Sequence, residues 1–144
     1  MDQFLGSHVN RLDAKGRISI PAPFRAVLKT TQENAALVLR RSHLHPCIDV
    51  WPMAMLDASK ARLAQMDMLD PDYDAIAARL FGDSQPAEPD KEGRITISSR
   101  YLQHAAITEA LTITGRGTYF QIWEPDAAER RLAEVYAQPI RPRT

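Results

Sequence analysis

The stretch LDAKGRISIP, Leu12 to Pro21, decides how this chain is read, because PDKEGRITIS, Pro89 to Ser98, repeats it 77 residues further on. Both contain Asp-x-x-Gly-Arg-Ile-x-Ile, and self-similarity at a fixed offset marks repeated structural units. The likeness runs past the motif. FRAVL (Phe24 to Leu28), ALVLR (Ala36 to Arg40) and CIDVWP (Cys47 to Pro52) follow the first copy. YLQHA (Tyr101 to Ala105), ALTITGR (Ala110 to Arg116) and YFQIWEP (Tyr119 to Pro125) follow the second. Trp51 lies 34 residues after Arg17 and Trp123 lies 29 after Arg94, so the second copy is the same unit shortened by five residues.

Within SHVNRLDAKGRISI, Ile18 and Ile20 fall on one face of a strand and Arg17 and Ser19 on the other. Asp13 and Gly16 supply turn chemistry, so the stretch predicts a hairpin presenting basic residues. A short helix follows, with Phe24, Val27 and Leu28 at helical spacing. In the second copy Ser98 stands where an N-cap is expected. Two more strands complete a βαββ unit too small to bury its apolar face alone, which must therefore pair with the other unit.

Helices are expected between and after the units. DPDYDAIAARLFG places Asp70 as N-cap, Pro71 at the first helical position and Gly82 as the stop. PMAMLDASKARLAQM (Pro52 to Met66) and EPDAAERRLAEVYA (Glu124 to Ala137) are two further helical segments. GDSQPAEP, Gly82 to Pro89, reads as linker, with Pro86 and Pro89 weakening the first strand of the second unit. The expected organisation is a first module over 7–54, a helical connection over 55–82, a second module over 83–126 and a C-terminal helix and tail over 127–144.

The chain has 144 residues, 44% of them hydrophobic, enough for a packed core. MDQFLGSHV lacks a basic flank followed by an apolar run, and no stretch reaches the roughly 18 to 20 apolar residues of a membrane span, so neither secretion nor membrane insertion is expected. The single cysteine, Cys47, cannot form an internal disulfide and fits a reducing cytoplasm. Net charge is zero but unevenly spread. Residues 1–45 carry seven Lys/Arg against three Asp/Glu, residues 46–89 three against eight, and residues 90–144 eight against seven. An anionic partner would meet the basic head.

Over nearly its whole length the chain resembles the MraZ family, transcriptional regulators built from two tandem AbrB-type modules. The resemblance rests on Asp13 to Arg17 and Asp90 to Arg94, in register with two Trp-terminated strands, and on HPC and WP around the fourth strand. It implies an α+β, β-rich fold in which two swapped-hairpin βαββ modules form one pseudo-two-fold, barrel-like core with helices after each module. It also implies a protein of the bacterial cytoplasm and nucleoid that binds double-stranded DNA at short direct repeats upstream of cell-wall and division genes, as a repressor, in a ring larger than a dimer.

Superposing the motifs sets Arg11 on Glu88, Lys15 on Glu92, Asn10 on Ala87 and Arg25 on Leu102, and only Arg17 keeps its charge, as Arg94. Each Lys or Arg offered to phosphate gains by counterion release, and Glu in its place repels. The first module is thus the expected DNA reader, through Arg11, Lys15 and Arg17, with Asn10 and Arg25 in support. Asp13, Gly16, Asp90, Gly93 and Arg94 carry the motif itself. Two readings of Asp13 and Arg17 stand side by side: an ion pair that holds the turn, and an arginine preorganised for a base edge. AbrB modules commonly carry two arginines in the short helix, whereas here Ala26 follows Arg25.

His43, His45 and Cys47 would share a side of an extended segment, but no fourth ligand accompanies them and Pro46 reads as turn chemistry, so no metal is expected. No phosphate loop, nucleophile elbow or His-Glu-x-x-His pattern is present, and neither enzymatic activity nor a cofactor is expected. A second function class is an oligomeric, antitoxin-like assembly module that engages proteins without reading DNA.

Overall fold

The structure is a computed structural model that describes residues 3–31 and 36–140; the last four residues of the expected tail lie outside that range. The first half contributes β1 (Ser7–Arg11), β2 (Arg17–Ser19), α1 (Ala22–Thr31), β3 (Leu37–Arg41), β4 (Ile48–Pro52) and α2 (Met53–Leu63). Next comes α3 (Pro71–Ala77), which continues as a π-helical turn, Ala78–Gly82. The second half repeats the order of two strands, a helix and two strands in β5 (Gln85–Ala87), β6 (Arg94–Thr96), α4 (Ser99–His104), β7 (Ala110–Gly115) and β8 (Phe120–Trp123), and ends in α5 (Pro125–Ala137).

The strands make a six-stranded antiparallel sheet in the order β1-β7-β8-β4-β3-β5 and a two-stranded ribbon of β2 and β6. Each first strand crosses to the other module, β1 pairing with β7 and β5 with β3. The expected hairpin is therefore splayed. Its turn closes by a hydrogen bond from Asp13 N–H to Arg17 O of 2.9 Å, after which the two strands enter different sheets. Alternation predicted the faces of β2 correctly, but the partner of a strand is a non-local property that alternation does not encode.

At the ribbon's centre Ile18 lies opposite Ile95. Two bonds related by the pseudo-two-fold flank it, Ile20 N–H to the Gly93 carbonyl at 2.8 Å and Ile97 N–H to the Gly16 carbonyl at 3.0 Å. The ribbon's inner side, the inner face of the large sheet and helices α1 and α4 enclose one core, including Ile18, Ile20, Phe24, Ile95, Tyr101 and Ile122. Each such side chain contributes about 1.5 to 3 kcal/mol by burial. Because the core draws on both modules, neither closes without the other.

The helix signals hold with one correction. Asp70 caps α3 by accepting from Asp72 N–H at 2.9 Å, and Glu124 caps α5 by accepting from Ala127 N–H at 2.9 Å. Ser98 occupies the N-cap of α4 but makes no capping bond, and its Oγ is buried without a partner. The linker also contains more structure than its prolines suggest. Gln85–Ala87 is a three-residue strand at the sheet edge, where Pro86 can be accommodated.

Among the described residues no helix is long and apolar enough to cross a membrane.

Candidate nucleic-acid interface

Both turns of the doubled motif are built alike. The Asp13 carboxylate accepts from the N–H groups of Lys15 at 2.9 Å and Arg17 at 2.8 Å, and from Arg17 Nε at 2.7 Å. Asp90 does the same for Glu92 at 2.9 Å, Arg94 at 2.9 Å and Arg94 Nε at 3.0 Å. The main-chain bond from the arginine N–H is the largest cause that holds each carboxyl below the usual carboxylate range. Gly16 at φ +75° and Gly93 at φ +76° make the left-handed step between Asp and Arg that a side chain would resist.

Antiparallel pairing puts Arg17 opposite Thr96 and Ser19 opposite Arg94. All four side chains therefore project from the outer face of the ribbon while Ile18 and Ile95 point inward. Two arginines on rigid turns thus share one ribbon face, separated by two residue positions, about 7 Å along the strands. Ser19 and Thr96 belong to this face too; strand alternation already marked Ser19, but their juxtaposition with the arginines depends on the β2–β6 pairing.

The two ends of the face differ in charge. Arg94 Nη2 lies 2.7 Å from Glu92 as well as bonding Asp90, and its pKa is raised, chiefly by the Asp90 bond. At the corresponding position beside Arg17 stands Lys15, exposed at the turn. One end carries a lysine and an arginine with one carboxylate, Asp13, and the other an arginine between two carboxylates, Asp90 and Glu92.

The remaining sequence candidates surround the first turn. Arg11 is exposed at the end of β1 and ion-paired with Glu109 Oε1. Asn10 braces β1 against β2, since its Nδ2 donates to the Ser19 carbonyl at 2.7 Å while its Oδ1 accepts from Arg11 N–H at 2.8 Å. Arg25 reaches across to the second turn, donating from Nη1 to the Glu92 carbonyl at 3.3 Å. Its aliphatic stem lies on Gly93, where an added Cβ would come within 2.4 Å of Arg25 Cδ. Lys15 and Arg17 thus lie on one turn with Arg11 at the end of the strand leading into it, while Asn10 braces that turn's strands and Arg25 contacts its counterpart.

His43, His45 and Cys47 do not gather. His43 meets the Arg40 guanidinium, His45 stacks on Trp123 with centroids 5.7 Å apart, and Cys47 is buried, its thiol pushed up to about 12 chiefly by desolvation. Among the described residues no group of three metal-ligating side chains comes together.

Comparison with known proteins bears on this arrangement. Residues 3–78 and 80–140 match the family described as "MraZ protein, putative antitoxin-like". A Gluconacetobacter diazotrophicus protein named transcriptional regulator MraZ is 48% identical over 137 residues, which cover 94% of this chain and 87% of the relative. One of the same name from Gluconobacter oxydans is 46% identical over 92% of this chain and 83% of the relative. Another, from Xanthobacter autotrophicus, is 37% identical over 94% and 85%. With both halves matched at this identity, the chain belongs to the MraZ family.

Proposed function

We propose that this chain is a transcriptional regulator, not an enzyme, that reads double-stranded DNA through the ribbon end carrying Lys15 and Arg17. The observation that carries this reading is the Asp13 turn, which holds the Arg17 guanidinium on an outward ribbon face with no carboxylate at position 15. A two-stranded ribbon fits the major groove, where arginine bonds guanine O6 and N7 in bidentate fashion. Lys15 and Arg11 then serve phosphate or neighbouring bases, and Arg11 leaves only an exposed ion pair to do so, at small cost. Asn10 and Arg25 support the reading turn. The names of the relatives support transcriptional control, which on this reading is exerted in the cytoplasm, at the nucleoid.

One turn offers few phosphate contacts, so several copies in a closed ring larger than a dimer, each engaging a short direct repeat, would raise affinity by effective concentration. Sites upstream of cell-wall and division genes, and repression there, complete the proposal. Mobility shifts with the DNA upstream of such genes and with random DNA test it, alongside Arg17→Ala and Arg94→Ala. Loss of one bidentate contact costs about 1 to 3 kcal/mol per subunit, multiplied over the subunits bound. Arg17→Ala should therefore abolish specific binding, and Arg94→Ala should spare it or act only through stability, which melting temperature and particle mass measured on each variant would separate. Equal loss in two well-folded variants would end the division of labour between the turns. Absence of any shift at moderate salt would favour the protein-binding, antitoxin-like module, and a monomer mass in light scattering would end the ring.

A further inference from the structure

The face of the six-stranded sheet turned away from the core carries a cleft of about 880 Å³ between α5 and the π-helical turn. Its walls are apolar and aromatic, from Trp51, Trp123, Leu80, Leu132 and Val135. Its floor is charged and buried. Arg40, 3% exposed, lies over Trp51 with its guanidinium carbon 4.6 Å from the ring centroid. Its Nη1 is 3.4 Å from Asp49, a long contact, and Nη2 is 2.9 Å from His43 Nδ1. Burial dominates at both charges, lowering the Arg40 pKa and raising that of Asp49, so neither is fully compensated by the other.

Part of the floor is satisfied internally. Trp123 Nε1 donates to Gln121 Oε1 at 3.0 Å, and Gln121 Nε2 donates to Asp49 Oδ1 at 2.9 Å. Two donors are left over: Arg40 Nε and Trp51 Nε1 are buried with no hydrogen-bond partner. At the rim Arg116 bonds only neutral acceptors, Thr114 Oγ1 at 3.1 Å and the Gly115 carbonyl at 3.0 Å. Buried polar groups are nearly always satisfied, so unused donors in an aromatic cleft of drug-like volume mark a place for an acceptor.

We propose that this cleft binds a small amphipathic anion, its flat apolar body between Trp51, Trp123 and α5 and its carboxylate or phosphate monoester accepting from Arg40, Trp51 and Arg116. The site is separate from the ribbon, and its test does not depend on DNA reading. The chain's two tryptophans, Trp51 and Trp123, both line the cleft, so intrinsic fluorescence reports on it directly.

The full chain, in whatever assembly it adopts, is titrated with benzoate, with phenyl phosphate and with benzyl alcohol as the uncharged counterpart. Saturable fluorescence changes are expected with one or both anions, which tells carboxylate from phosphate, and about tenfold weaker binding with the alcohol. Arg40→Gln should weaken the anion about tenfold. Arg116→Gln, on an exposed turn where misfolding is not at issue, should do the same. No saturable change, equal binding of the alcohol, or full affinity in Arg116→Gln would overturn the proposal. Thr112→Phe, which fills the cleft, should abolish the titration and leave the particle mass in light scattering unchanged; a changed mass would assign the cleft to a neighbouring copy of the chain and overturn it as well.

Discussion

Glu92 holds Arg94 by an ion pair of 2.7 Å, and the residue that replaces it beside Arg17 is Lys15. Two turns with the same main-chain hydrogen bonds thus differ by one carboxylate, Arg17 pairing with Asp13 alone and Arg94 with both Asp90 and Glu92. Reversing the charge tests this directly. Glu92→Lys should release Arg94 from one of its two carboxylates, leaving Asp90 as Asp13 stands to Arg17, and place a second lysine–arginine turn on the ribbon. Affinity for DNA should rise, and the salt dependence of binding should steepen by about one phosphate contact per subunit. A titration across salt concentrations that leaves the slope unchanged would show that the second turn never approaches DNA.

Acid stability should follow the two turn aspartates. Their carboxyls titrate below the ordinary value of about 3.8 in the folded chain. Depressed native values add stability above the ordinary value, and that stability is lost as pH falls through the depressed ones. Asp83, lowered chiefly by its Arg41 bond, adds in the same sense. The doubly substituted chain, Asp13→Asn with Asp90→Asn, should melt lower than the parent at neutral pH and lose less on acidification. Parallel melting curves for the two proteins from neutral pH down to pH 3 would contradict this.

The two motif glycines should respond unequally to alanine. Both have positive φ, a strain of about 1 to 2 kcal/mol for an alanine. At Gly16 the new methyl meets only the Ile97 carbonyl at 3.6 Å, whereas at Gly93 it runs into the Arg25 stem at 2.4 Å. Gly93→Ala should therefore lower the melting temperature further than Gly16→Ala, and adding Arg25→Ala should recover part of the difference. Additive losses in that double-mutant cycle would refute the contact.

Separated halves should not fold. A fragment of residues 1–82 leaves β1 and β2 without their partners β7 and β6, and a fragment of residues 83–144 lacks the partners of β5 and β6. Circular dichroism should show no cooperative melting for either fragment alone and a melt restored on mixing. A cooperative transition in an isolated monomeric half would contradict the shared core.

Features written in neighbouring residues were legible in the sequence. The Asp13 and Asp90 turns, the cap Asp70 and the apolar faces around Ile18 and Phe24 each depend on residues within one turn or strand. Strand exchange came only from the family resemblance, since nothing near Asn10 says whether β1 pairs with β2 or with β7. Ser98 misled because a cap residue is recognised by type, while its hydroxyl here is buried out of reach of the helix amides. The Arg40–Asp49–Gln121 chain was invisible for the same reason as the exchange. Its members lie on β3, β4 and β8, and only the finished sheet brings them together. Of the proposed interface residues, type alone pointed to Arg17 and Lys15, but the bracing role of Asn10 and the reach of Arg25 across Gly93 required the paired ribbon.

The exchange of first strands also sets the order of events during synthesis. Ser7 finds its sheet partner Thr114 across 107 residues, and β2 must wait for β6. At roughly 5 to 20 residues per second, β1 leaves the ribosome on the order of ten seconds before β7 exists. During that interval its amide edge is unpaired and the apolar side of α1 is uncovered, the situation in which nascent chains recruit chaperones or pair with one another. A nascent chain that met a finished neighbour in that interval could lend β1 to the wrong partner, so crowded translation on one message favours intermolecular exchange. Long-range closure of this kind is intrinsically slow, and the shared core forms only as a late step.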